Sequence, residues 1–438
     1  MEYPSSLNDY SSPWPYELQP KESLPLSIFL LMPFVVGVVV VSALFGFNYL
    51  VIGLGVICAT VFLMVSVREG FFVPTEIKYF ILFAVWSVLG FLIVRYPTIF
   101  FERIRTLAQL VVMVVMVSYY AKNIRCVSWL FFSVLVGVCI VAFAAVITGD
   151  FQRAEVEGEE ARLSGVILNA NAFGRAVLYG MIVLLHYFRS TRSVLLKAGI
   201  VGLIFLAMRF VIASGSRTGF LGLAMLVVVW FILTYGKEIT QRPAMTIAVL
   251  IGVILLGLYT AYLLRDTVLM KRLLGAEEVL SGKESGGGVT ARLIMIKEGI
   301  YFTATHPILG IGLNHFPIYS TTELYAHNNY IEVFATTGIP GGIFYMMIYI
   351  VLIVRLIRVG KYPLSDRQRD LVNLFKAFVV IRLLLDFGTV SYYSKIDWIM
   401  LAIMIGYINH LQRELQSAMQ YEQNSDDLVA QDTQEAMV

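Results

Sequence analysis

From Leu24 to His410 the chain reads as successive apolar runs of about 20 residues, each interrupted by a charge, a glycine or a proline. A helix needs about that length to cross the hydrocarbon of a bilayer. The expected fold is therefore all-α, a polytopic transmembrane helical bundle of about 12 spans. Hydrophobic residues make up 58% of the 438 and charged residues only 14%, against about 25% charged in soluble domains, which excludes an ordinary soluble enzyme. The formal net charge of +3 says little about partners, and no nucleic acid is expected among them.

The runs fall at 24–45, 49–67, 77–94, 104–120, 127–148, 172–188, 193–213, 218–235, 244–264, 339–357, 371–387 and 396–410. Residues 1–23 are polar and Pro-rich, without the basic lead of a cleaved signal, so they read as a cytoplasmic N-terminal tail before an uncleaved anchor. The chain then divides into nine spans over 24–264, a large extracytoplasmic loop over 265–338 and three spans over 339–410. Residues 411–438, polar and mainly acidic, are expected to form a disordered cytoplasmic tail.

Lys and Arg concentrate in alternate loops, from Arg68, Lys122 and Arg125 to the cluster Arg355, Arg358 and Lys361. That side is expected to be cytoplasmic, with both termini inside. The loop over 265–338 then lies outside and carries short amphipathic helices. Thr290 is expected to cap one that lies along the membrane surface, with Leu293, Ile296 and Ile300 on one face and His306-Pro307 at its end.

Several polar groups gather on the outer side. Arg162, Arg217 and Arg292 offer planar, permanently charged forks suited to bidentate bonds with phosphate. Taken singly, an arginine at a helix end also reads as a snorkelling anchor, and that reading is preferred for Arg209 and for Arg103 and Arg105 in "FFERIRTL". Around Arg217, "SGSRTG" supplies small residues, Ser216 among them, that allow close backbone approach and offer amide donors to an anion.

"AHNNYIEVFATTGIPGG" places His327 at the start of a short helix that should run to Thr337 and break at Gly338 and Pro340. Asn328 and Glu332, four apart, are expected to hydrogen-bond along one face. His327 is either a polar interface residue or a proton acceptor suited to neutral pH. His306 and His315 lack ligand spacing, so no metal is expected, and Cys58, Cys126 and Cys139 read as small core hydrophobes. Arg382 and Asp386 fall within the eleventh run at a spacing that allows an ion pair; whether Arg382 also meets substrate is open.

Four passages in order, "RLSGVILNANAFGRA", "SGSRTG", "TARLIMIKEGIYFTATHPILGIGLNHF" and "AHNNYIEVFATTGIPGG", together resemble the O-antigen ligase and O-antigen polymerase family of bacterial envelope glycosyltransferases. The likeness extends from about Arg162 to Ile357, and departs where Asn169-Ala170-Asn171 replaces the family's frequent Asn-Pro-Asn. The resemblance implies a multi-pass protein of the bacterial inner membrane, surrounded by its lipids and active on the periplasmic face. Its donor would be a glycan on undecaprenyl pyrophosphate, and its acceptor a glycan or lipid A core. His327 would be the catalytic base, and Arg162, Arg217 and Arg292 are the candidates for binding the pyrophosphate and stabilising its leaving oxygen. Arg162, Asn169, Asn171, Ser216, Asn328, Glu332 and Arg382 would contact or frame the substrates. No cofactor and no metal is expected, and direct displacement would invert the anomeric carbon.

Two other readings stand beside this ligase description. One is an O-antigen or exopolysaccharide polymerase using the same donor chemistry; the other is a polysaccharide or lipid transporter, whose polar groups would sit nearer mid-membrane in broken helices.

Overall fold

The computed structural model describes residues 24–43, 48–148, 170–214, 216–241 and 287–435. The expected run at 244–264, the tail before 24, the loop segment 265–286, and Arg162 and Asn169 lie outside them. Thirteen α-helices and no strand occur among the described residues: α1 Ile28–Ala43, α2 Asn48–Glu69, α3 Thr75–Leu89, α4 Pro97–Tyr120, α5 Ile124–Ile147, α6 Ala170–Ser190 and α7 Val194–Ala213. They continue with α8 Arg217–Gln241, α9 Gly287–Thr305, α10 Phe316–Tyr319, α11 Asn329–Val359, α12 Asp366–Leu385 and α13 Lys395–Glu435.

Six stretches are long and apolar enough to cross a membrane, on α2, α3, α5, α7, α8 and α11. Among the described residues the protein is thus all-helical, with six helices fit to cross a membrane. Two more helices at expected span positions, α6 and α12, carry Arg175, and Arg382 with Lys376, along their length. Helices exposing an all-round apolar surface face lipid, whereas intramembrane charge belongs inside a bundle. The distribution follows that rule: α7 exposes Val194, Leu195 and Phe205, while Arg175 and Arg382 are buried.

Residues 396–409 of α13 are all buried, and this helix packs against α1, α4, α5 and α11. At one end of the bundle Arg355 Nε donates to Glu76 at 2.8 Å and its Nη1 to Gln412 at 2.8 Å, tying α3, α11 and α13 together. Contrary to the expected disordered tail, α13 stays helical to Glu435. Residues 407–435 contain neither glycine nor proline and are rich in Gln, Glu, Leu and Ala, so nothing local stops a helix already nucleated by its buried half.

The surface helix expected from Thr290 exists as α9, begun three residues earlier and ended at Thr305. Its packed face differs from the expected one: Met295 and Phe302 are buried with Phe316, while Leu293 and Ile300 point outward. Gly299 decides the rotation, because a side chain there would overlap Ile331 of α11. The outward apolar face suits a helix resting on lipid.

α11 breaks where its sequence demands. Gly338 holds φ 71° and ψ −178°, outside helical space, two residues before Pro340. The carbonyls freed there find partners: Ile311 N–H donates to Ala335 at 2.9 Å, Gly312 N–H to Thr336 at 3.0 Å, and Trp86 Nε1 to Thr337 at 3.0 Å. "GIGLNHF" is therefore the backbone plug of a broken helix, and its glycine at 310 is required because a Cβ would collide with the Thr336 backbone.

Candidate active site

α4, α6, α8, α11 and α13 begin, and α12 ends, at the same end of the bundle. Asn329 joins three of these elements. Its Nδ2 donates to Tyr345 Oη at 2.8 Å and Asp386 Oδ2 at 3.1 Å, and its Oδ1 accepts from the Ser391 and Tyr392 amides at 2.8 and 2.9 Å. Arg382 pairs with Asp386, donates to Ser391 Oγ at 2.7 Å and lies 3.2 Å from Asp397. Asp397 also accepts from Tyr179 and lies 3.3 Å from Arg175 Nη1. Every charge in this network is at least nine-tenths buried, which is tolerable only because each carboxylate meets guanidinium.

The expected Arg382–Asp386 pair is thus present. Arg382 is fully buried and committed to Asp386, Ser391 and Asp397. Its geometry is that of a residue that positions the 386–394 loop and not of one that meets substrate.

Arg175 connects the network to open space. Beyond Asp397 its Nη1 donates to Thr389 Oγ1 at 3.3 Å, and its Nε has no hydrogen-bond partner among the described residues. It lines a cavity of about 360 Å³ together with Asn171, Tyr325, Thr389, Tyr393 and Lys395. Among the described residues two cations and no carboxylate line this space, so it favours an anion.

His327 stands beside this cavity. Its ring centroid lies 4.2 Å from that of Tyr325, a wall residue. The histidine is half-buried and holds a left-handed backbone, φ 49°, a conformation uncommon outside glycine that recurs at functional sites. Glu332 Oε2 accepts from the Ala326 amide at 2.7 Å, fixing the residue before it. Asn328 caps α11, its Oδ1 accepting from the Tyr330 and Ile331 amides at 3.0 and 3.1 Å. The expected side-chain pairing of Asn328 with Glu332 is therefore replaced: the helix starts one residue beyond Asn328, whose side chain turns to its own helix terminus. Both residues shape the turn that presents His327.

Other expected residues gather here to different degrees. Asn171 lines the cavity. Ser216 is buried and caps α8, its Oγ accepting from the Gly219 amide at 3.1 Å. The Arg217 backbone opens α8, and its neighbour Thr218 packs onto Gly388, next to the cavity residue Thr389. Arg292 is half-exposed on α9, and the adjacent Ala291 packs into the small cluster that holds Ala326.

Arg175, Lys395, Tyr325 and Tyr393 were not singled out by the sequence reading. Arg175 carried a signal, an arginine inside an apolar run. Arg103 differs from its expected role as an interface anchor: Nη2 donates to Asn314 Oδ1 at 2.7 Å and the guanidinium sits 3.6 Å from the Tyr393 ring centroid. Its partners are 211 and 290 residues away, so no local pattern announces them.

Residues 202–346 match the family model described as O-antigen ligase. The matched stretch contains Ser216, Arg217, Arg292, His327, Asn328 and Glu332, and stops short of Arg382 and Lys395. No curated protein matches the chain. Over that stretch, about a third of the chain, the sequence is similar to O-antigen ligases.

Proposed function

We propose that this protein is a membrane glycosyltransferase of the O-antigen ligase type. It moves a glycan from undecaprenyl pyrophosphate to a hydroxyl of an acceptor glycan, such as lipid A core, on the periplasmic face of the inner membrane. The observation that carries this reading is His327 packed, with its ring tilted, against Tyr325, a wall residue of the cavity that Arg175 and Lys395 make cationic.

In the proposed reaction His327 accepts the proton of the acceptor hydroxyl as its oxygen attacks the anomeric carbon. The bond from that carbon to the pyrophosphate oxygen breaks, and undecaprenyl pyrophosphate departs with the electron pair. Arg217, Arg292 and Arg175 balance the charge that grows on the leaving oxygen. General base catalysis of this kind contributes about 10²- to 10⁴-fold in rate. Direct displacement inverts the anomeric centre.

A polymerase extending a lipid-linked glycan would use the same donor chemistry. The test is reconstitution of the full chain with a lipid-pyrophosphate oligosaccharide and two acceptors, lipid A core and a second lipid-linked glycan. Product on core alone supports the ligase, product on the lipid-linked acceptor alone the polymerase, and no product with either removes the transferase reading.

A further inference from the structure

A second hollow meets the cationic cavity at one residue. An apolar groove of about 340 Å³ runs between α1, α2 and α4, walled by Phe34 and Val38, Gly55 and Ala59, and Ala108 and Met113. Among the described residues Lys395 is its one charged lining residue, and Lys395 also lines the cavity that holds Arg175. Around the groove Ile52, Val56 and Val112 are about half-exposed, on helices of which α2 has the length and hydropathy to cross a membrane. The groove thus opens toward lipid along its side and reaches a cation at its end.

We propose that this groove receives the polyprenyl tail of the donor, with Lys395 at the junction binding the phosphate nearer the tail and Arg175 facing the phosphate nearer the sugar. The inference rests on the transferase reading for the identity of the donor, and on geometry alone for the groove.

The lining selects its occupant. Apolar walls with small residues at Gly55, Ala59 and Ala108 suit a branched hydrocarbon chain. A bilayer phospholipid has its head group in the interface and gains nothing from the polar cavity beyond Lys395. A polyprenyl pyrophosphate has one chain and two adjacent phosphates, matching one groove and two cations. Lys395 forms no ion pair with a described carboxylate, and the Arg175 Nε has a hydrogen unused among the described residues. Lys395 lines both hollows and Arg175 the cavity, so each side chain borders space that a phosphate can enter.

The test compares the full-length wild type with A59F/A108F, which fills the groove at half-buried and exposed positions, and with Lys395→Gln and Lys395→Arg. Donors carry one oligosaccharide on either a C55 or a C10 polyprenyl pyrophosphate, and retention of C55 polyprenyl pyrophosphate without sugar is read separately by native mass spectrometry. Filling the groove should lower C55-donor transfer and C55 retention about tenfold, the equivalent of roughly two buried methylene groups, while C10-donor transfer is unchanged. Lys395→Gln should weaken C55 retention and lower transfer from both donors, with Lys395→Arg restoring both. Equal retention and equal C55 transfer in A59F/A108F would overturn the groove while leaving the transferase reading intact. If the wild type transfers from neither donor, that reading fails, and the retention arm still decides whether polyprenyl pyrophosphate occupies the groove.

Discussion

Glu332 reaches back from the first turn of α11 to accept the Ala326 amide at 2.7 Å, so the helix itself sets where His327 stands. The carboxylate is buried, and His327, the residue directly after Ala326, adopts φ 49°. The account predicts a separation of effects. Glu332→Gln keeps an oxygen acceptor and should retain most activity. Glu332→Ala should lower kcat about 10²-fold, the cost of misplacing a reacting group by about 1 Å, with donor KM little changed. Steady-state kinetics of the two variants check it; equal losses in both would show that the charge, and not the bond, is what matters.

Asp397 serves two arginines from different helices, Arg175 of α6 and Arg382 of α12. Asp397→Ala leaves both guanidinium groups buried without that carboxylate and should destabilise the fold by about 3–5 kcal/mol. Thermal unfolding in nanodiscs measures this as a fall in Tm.

Gly338 carries a backbone conformation closed to other residues, and a Cβ there would overlap the Ile308 carbonyl. Gly338→Ala should cost about 1–3 kcal/mol from backbone strain alone, plus the displaced 307–312 plug. Pro340→Ala should be tolerated, because the break is already held by the Ile311, Gly312 and Trp86 donors. Relative folded yield and Tm of the two variants distinguish them.

Glu298 on α9 fastens the loop after α10. Burial acts to raise its pKa, but hydrogen bonds from Ser320, the Thr321 hydroxyl and the Thr321 amide outweigh it and hold the carboxyl below its ordinary value. A depressed carboxyl stabilises the folded state above its unfolded pKa and loses that contribution as pH falls through the folded one. The Thr321 amide, 2.9 Å from the carboxylate, should therefore lose hydrogen-exchange protection as the medium is taken below the ordinary carboxyl range. In Glu298→Gln the pH dependence of that protection should vanish.

Much of the fold was legible because lipid imposes a local rule: apolar runs become helices, and Gly338 with Pro340 must break one. The Arg382–Asp386 pair was legible for the same reason, four residues apart on one helix. What escaped the sequence was set by tertiary contact. The rotation of α9 depends on Gly299 meeting Ile331 of another helix. Arg103 looked like an anchor because Asn314 and Tyr393 lie far along the chain. Lys395 and Asp397 are neighbours at the start of one helix, yet the first lines the cavity and the second is buried against Arg175 and Arg382; periodicity gives the helix but not the contents of its neighbours.

In the proposed reaction His327 takes the acceptor proton beside a cationic donor cavity. Single-turnover transfer from a lipid-pyrophosphate oligosaccharide, measured for wild type and His327→Ala with donor binding read in parallel, tests it most directly. The account predicts a fall in the transfer rate of about 10²- to 10⁴-fold with donor affinity preserved. Transfer by His327→Ala at the wild-type rate would contradict it.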